Sequence, residues 1–188
     1  MQAVVELFRS KGYAAVSLDD LSEATGLSRP SLYRSFGNKL AMYISAMNAF
    51  GVQVSQTAVP ALKQEGDVGQ ALAAFFEAML TIYYRDDAVT PGCLVFGTAP
   101  SAADETAIKD RLMFGIRQLD ALMRARFKQA APAANPEQIE AAVSLASNTL
   151  IAFSARAKSG ATKDELVAMG KASAILVAQL LSQPQPLH

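Results

Sequence analysis

The chain has little of what enzyme and secretory chemistry usually draws on. Its 188 residues contain one cysteine, Cys93, and one histidine, His188. A lone thiol excludes an intrachain disulfide framework and points to a reducing compartment. A single histidine in a tail expected to fray excludes a Cys/His zinc set and the E-x-x-H pairs of a di-iron bundle. No glycine-rich phosphate loop follows a strand pattern. Glu77, Asp86 and Asp87 are the carboxylates nearest to acid–base work, but the last two stand in a loop beside Arg85, where they read as solvated charge. The expectation is no enzyme, no cofactor and no metal. Charge of one sign is lacking too: 17 basic residues balance 17 acidic ones. That excludes a purely electrostatic nucleic-acid binder and throws the weight onto local arrangement. Long apolar runs are missing; windows around 71–84 and 172–181 are too short or too interrupted to span a bilayer. The opening MQAVVELFRSKGY lacks a basic segment before an apolar core, so no signal peptide is expected. These absences point to a soluble cytoplasmic protein.

What is present is an apolar, alanine-rich composition, 51% hydrophobic, whose large side chains recur at spacings of three and four rather than two. The expected fold is all-α, with about nine helices: 1–11, a short one after Ser17, one from Ser28 to Gly37, one from Asn38 to Gln56, then about 68–85, 93–99, 103–130, 137–158 and 163–182. Ser17 followed by Asp20 has capping-box spacing, Gly26 stops helix two, and Pro30 suits the first turn of helix three. The apolar excess suggests self-association or an internal cavity.

Residues 25–39, TGLSRPSLYRSFGNK, carry Arg29, Arg34 and Lys39 around Tyr33 with no acid among them. Two short helices about a glycine turn, braced by a third, describe a helix-turn-helix unit. Its inward set is expected to be Phe8, Val16, Leu21, Ala24, Leu27, Leu32 and Phe36. With Leu32 and Phe36 turned inward, Arg29, Ser31, Tyr33 and Arg34 face outward. Such a donor face fits a DNA major groove, where arginine pairs with guanine edges and hydroxyls meet phosphates. Three cations alone are equally the polar side of a solvated helix; over residues 1–47 the positive excess is only one, with Arg9, Lys11, Arg29, Arg34 and Lys39 against Glu6, Asp19, Asp20 and Glu23.

The whole constellation is more specific. LFRSKGYAAVSLDDLSEATGLSRPSLYRSFGNKLAMY, residues 7–43, resembles the DNA-binding domain of the TetR/AcrR family of transcriptional regulators. The likeness lies in the phenylalanine and Gly-Tyr ending helix one, the hydroxyl before helix two, the Ala-Thr-Gly-Leu-Ser turn, and Leu-Tyr-x-x-Phe followed by x-x-Lys. It implies phosphate contacts from Ser17, Tyr33 and Lys39, and base contacts from Arg29, Pro30, Ser31 and Arg34. It also implies a DNA-binding domain over 1–45 and an effector-binding and dimerisation domain over 46–188. Family members normally carry several further, often basic, residues before helix one, whereas Met1 here lies almost inside it; that departure bears on DNA affinity rather than on fold. The function implied is a ligand-responsive repressor. It would bind a palindromic double-stranded operator as a homodimer and be released by a small, largely apolar effector. The competing expectation is a helical small-molecule-binding or interaction module that has lost DNA binding.

The larger part offers a seam and a lining. DELVAMGKASAILVAQLL places Leu166, Met169, Ser173, Leu176 and Leu180 on one stripe, and the preceding helix offers Leu145 and Thr149; together they read as a four-helix dimer interface, or singly as ordinary core. Phe75, Phe76, Met79, Tyr83, Phe96, Met113 and Phe114, with Asn148 as a polar point, are the candidate effector lining, against the alternative of plain core. TPGCLVFGTAP is expected to connect such a pocket to the DNA domain. No cation is placed to activate Cys93, which reads as a buried, inert thiol rather than a redox sensor.

Overall fold

The computed structural model describes residues 1–84 and 92–182, and among these it contains ten α-helices, one 3-10 turn and no strand. Arg85, Asp86, Asp87 and His188 lie outside the described residues. The helices are α1 (Gln2–Ala15), α2 (Leu18–Thr25), α3 (Arg29–Phe36), α4 (Lys39–Thr57), α5 (Val59–Leu62), α6 (Val68–Tyr83), α7 (Leu94–Thr98), α8 (Thr106–Ala130), α9 (Pro136–Lys158) and α10 (Lys163–Ser182).

Local chemistry sets most boundaries. Gly12 interrupts α1 at φ 77°, ψ 170°, the expected stop, and the chain then resumes a helical turn to Ala15. Ser17 Oγ accepts from the Asp20 amide at 3.1 Å while the Asp20 carboxylate accepts from the Ser17 amide at 2.8 Å, a complete capping box that satisfies donors at the α2 start. Gly26 closes α2 in the left-handed conformation, φ 69°. Ser28, Asn38, Asp67 and Asn135 cap α3, α4, α6 and α9 in the same way.

α1 packs on α4 and α7, and α2 and α3 complete the amino-terminal unit. α6, α8, α9 and α10 form the bundle. One continuous apolar core runs from Val4 to Leu181, so the two parts are not separated by a polar layer. The expected division at residue 45 falls inside α4, a single helix shared by both. Two buried arginines tie corners down. Arg9 donates to the Ile82 carbonyl at 3.0 Å, and Arg126 donates to the Leu62, Gln64 and Gly66 carbonyls at 2.9, 3.0 and 3.2 Å. Charge-bearing donors thereby close the α6 end and the α5–α6 corner, whose carbonyls lack helical partners.

Two expectations are corrected. Ala24 and Leu27 are exposed, Leu27 by 37%. On α2 Leu21 is buried and Leu18, Ser22 and Thr25 are half-buried, which places Ala24 off that face; Leu27 follows the left-handed turn at Gly26. α10 is also longer and more apolar than the sequence windows suggested, enough to cross a membrane by length and composition. It is nonetheless a bundle helix, packed against α6 and α9 through Leu166, Gly170, Ala174 and Val177.

Candidate nucleic-acid interface and ligand cleft

The amino-terminal unit presents α3. Leu32 is fully buried and Phe36 half-buried against the core, so Arg29, Pro30, Tyr33, Arg34 and Ser35 face solvent, with Tyr33 49% exposed. A two-turn helix anchored at i and i+4 has no other solution. The exposed donors differ in their freedom. Arg29 is held by a carboxylate from α2: its Nε donates to Asp19 Oδ1 at 2.8 Å, and that pairing raises its pKa. Arg34 makes only a long 3.4 Å contact to Ser31 Oγ, and no acid pairs with it among the described residues.

Ser17 is engaged in the α2 cap, and its partner Asp20 also accepts from Lys11 Nζ at 2.6 Å; the Lys11 contact first, then the Ser17 backbone and side-chain donors, hold the Asp20 carboxyl well below the usual carboxylate range. Lys39 is not a free surface cation. Its ammonium donates to the Val16 carbonyl at 2.9 Å and lies 4.7 Å from the Tyr13 ring centroid, closing the end of α1. The sequence counted cations correctly but not the partners that folding brings from α1 and α2.

A cleft of about 620 Å³ opens between α4, α6, α7 and α8. Of the candidate lining, Phe75, Met79, Phe96 and Phe114 stand in its wall. Four other expected residues stand elsewhere. Phe76 packs edge-to-face on Phe153 at 5.3 Å, Tyr83 is fully buried, Met113 is exposed and not part of the lining, and Asn148 faces outward on α9, donating to Ser144 Oγ at 3.2 Å. Sequence reasoning missed the whole α4 wall, including Met47, Asn48, Gly51 and Val54, and it missed Arg111. The available signal was Arg111, Phe114 and Gln118 at helical spacing on α8. Cys93 closes the cleft from α7; it is buried, its backbone N–H donates to Ser154 Oγ at 3.1 Å, and burial pushes its thiol pKa up. That disfavours the thiolate.

α7 connects this cleft to the amino-terminal unit. Val95 and Phe96 line the cavity, while Thr98 Oγ1 and Tyr43 Oη share a hydrogen bond of 2.6 Å. Tyr43 in turn stands against Phe8 and Tyr13, with ring centroids 5.0 and 5.2 Å away.

The α10 stripe is also redistributed. Leu166 and Ser173 turn into the bundle, Ser173 sharing a 2.8 Å hydrogen bond with the buried Thr149. Leu145, Met169 and Leu180 are half-buried. The face left open carries Ala168, Ala172, Ile175 and Leu176, the last two 58% and 51% exposed.

A helix-turn-helix unit with an outward donor helix shares one core with a helical bundle that holds a ligand-sized cleft, a geometry suited to docking on DNA. Residues 1–46 match the family described as bacterial regulatory proteins, tetR family. That match covers the amino-terminal unit and the first turns of α4. The chain is 30% identical over 84 residues to the HTH-type transcriptional activator FasR of Mycolicibacterium smegmatis, covering 45% of this chain and 38% of that protein. It is 29% identical over 108 residues to the HTH-type transcriptional repressor ComR of Escherichia coli, covering 56% and 50%. The chain thus spans half or less of the curated relatives it matches. Among solved structures, a CifR cysteine mutant in complex with 26-bp operator DNA shares the fold, with a TM-score of 0.80, 23% identity and 93% of each chain covered. SCO4454 of Streptomyces coelicolor, also TetR-family, does so at a TM-score of 0.79 and 11% identity, covering 97% of this chain and 93% of that one.

Proposed function

We propose that the protein is a ligand-responsive DNA-binding regulator, acting as a homodimer on a palindromic operator and released by a small, largely apolar effector. Residues 1–45 read the DNA, and residues 46–188 bind the effector and the second subunit. The observation that carries this is the outward face of α3, where Tyr33 and Arg34 stand exposed and pair with no acid of the described residues. Arg34 meets a base edge and Tyr33 a phosphate; Arg29, Pro30 and Ser31 complete the groove-facing surface. Ser17 and Lys39 lie at its margin, already engaged within the fold.

One such helix contributes few contacts. Two of them, separated by about 34–36 Å or a multiple of it, bind a palindrome with useful affinity. The α10 face around Ile175 and Leu176, with the adjoining half-buried Leu145, Met169 and Leu180, supplies the dimer. The cleft between α4 and α8 takes the effector. Ligand shifts the protein toward a state with a different separation of α3 helices only as far as it prefers that state. α4 and α7 are the linkage, since both line the cleft and meet at the Tyr43–Thr98 bond. Repression by occluding the operator is the favoured output.

A second reading has its own support. Arg29 is neutralised by Asp19 and Lys39 is spent on α1, which leaves little free charge and favours an interaction module that has lost DNA binding. Selection of bound duplexes from a random pool separates the two. A regulator enriches a palindrome, and Arg34→Ala then weakens binding to that palindrome by about tenfold or more, from about 1–3 kcal/mol per base contact, with a smaller effect on random DNA. If no sequence is enriched, the DNA-binding assignment fails.

A further inference from the structure

Among the described residues, the cleft between α4 and α8 carries charge of one sign. Arg111 on α8 reaches across to α4, where its Nε donates to Asn48 Oδ1 at 2.7 Å. Its guanidinium carbon lies 4.9 Å from the Phe114 ring centroid. Its Nη2 rests over Gly51, 3.6 Å from where a Cβ at that position would stand, so the absence of a side chain there makes room for the group. One edge of the guanidinium is thereby fixed, and no carboxylate of the described residues pairs with the rest. Lys63, exposed at the end of α5, is the other charged residue of the described lining and likewise pairs with no acid of the described residues. Among the described residues, neither aspartate nor glutamate lines the cleft.

The remaining surface is apolar. Phe75, Met79, Phe96, Leu119 and Leu150 form the wall, and Val52 and Phe114 stand at the rim, 55% and 46% exposed. Partial burial of Arg111 lowers its pKa, the sign of a cation losing water without gaining a counter-ion. A planar guanidinium with a free edge suits a carboxylate, which it holds through two parallel donors. A neutral apolar molecule leaves that edge unpaired, and a cationic amphiphile meets two like charges.

We propose that this cleft binds an amphipathic monocarboxylate, its carboxylate on the free edge of Arg111 and its hydrocarbon or aromatic body against Phe75, Met79 and Phe96. The proposal rests on the assignment of the cleft as the effector site and gives that effector its chemical class. Aliphatic and aromatic acids share the required chemistry.

Calorimetric titration of the full chain, without DNA, tests it with decanoate and 2-naphthoate as the acids, decanol as the neutral probe and decyltrimethylammonium as the cation. At least one acid should bind about tenfold more tightly than decanol, the range of a charge-assisted hydrogen bond. The ammonium should bind least. Whether decanoate or 2-naphthoate binds better tells the two sources apart. Arg111→Gln should bring the acids to the level of decanol and leave decanol unchanged; Lys63→Gln should weaken the acids less. Decanol or the ammonium binding as tightly as both acids overturns the proposal, and so does the lack of saturable binding by either acid. The wild-type preference settles the sign of the site even where a variant fails to fold. Because no DNA is present, the operator selection and this titration succeed or fail separately.

Discussion

Tyr43 ties α4 to both α1 and α7 through one side chain. It is fully buried on α4, stacked among Phe8 and Tyr13, and its hydroxyl meets Thr98 across the molecule at 2.6 Å. Burial, partly offset by the Thr98 hydrogen bond, pushes its pKa up to about 12. The unfolded value is about 10. A raised folded pKa means that the unfolded state loses its proton first as pH rises. Tyr43's contribution is therefore intact below about pH 10 and is lost as the pH climbs to about 12. Tyr43→Phe should cost about 0.5–1.5 kcal/mol at neutral pH, and it should flatten the fall in stability between about pH 10 and 12. Urea unfolding of both proteins across that window is the check; identical slopes would remove Tyr43 from the account. The apolar spacing along α4 placed a helix there, but nothing in it singled out Tyr43, because its partner lies 55 residues away. Arg34 is the opposite case. Its exposure follows from Leu32 and Phe36 on its own helix, and the sequence shows it directly.

At the level of elements, α1 and α6 are joined by Arg9. The sequence offers it as one more surface cation, yet it is 2% exposed, donating to the Ile82 carbonyl and paired with Glu6 at 2.8 Å. It places positive charge at the carboxyl end of α6, where the helix dipole and the orphan carbonyls favour it. Arg9→Met keeps much of the apolar stem but leaves these carbonyls unsatisfied. A loss of about 1–3 kcal/mol is expected, read as a lower urea midpoint with unchanged slope. If stability is unaffected, the link between α1 and α6 is decorative. Helix starts were easier to foresee than such ties. Ser17 with Asp20, and Asn135 with Gln138, are local signals three residues apart, and both capping boxes form. The α4 wall of the cleft gave no comparable sign, since lining a cavity and filling a core demand the same apolar side chains.

At the scale of the whole molecule, the proposed dimer draws on the open face of α10. Ile175 and Leu176 are the large apolar side chains left exposed there, flanked by Ala168 and Ala172, which permit close approach of helices. Ile175→Asp should convert the proposed dimer to a monomer with its helical content intact, as read by light scattering and circular dichroism. Leu166→Asp, by contrast, should unfold the subunit, because Leu166 is 2% exposed within it. A dimer that survives Ile175→Asp moves the interface elsewhere. Alone, the order of residues determined the all-helical class, the helix starts and stops, and the outward donors of α3, because periodicity, caps and glycine turns act over a few neighbours. Tertiary structure alone decided that Arg29 answers to Asp19, that Lys39 closes α1, that Arg111 lines a cleft with no acid among the described residues, and which side of α10 stays bare. Those outcomes depend on which distant surfaces compete for each side chain, and that competition exists only once the helices are packed.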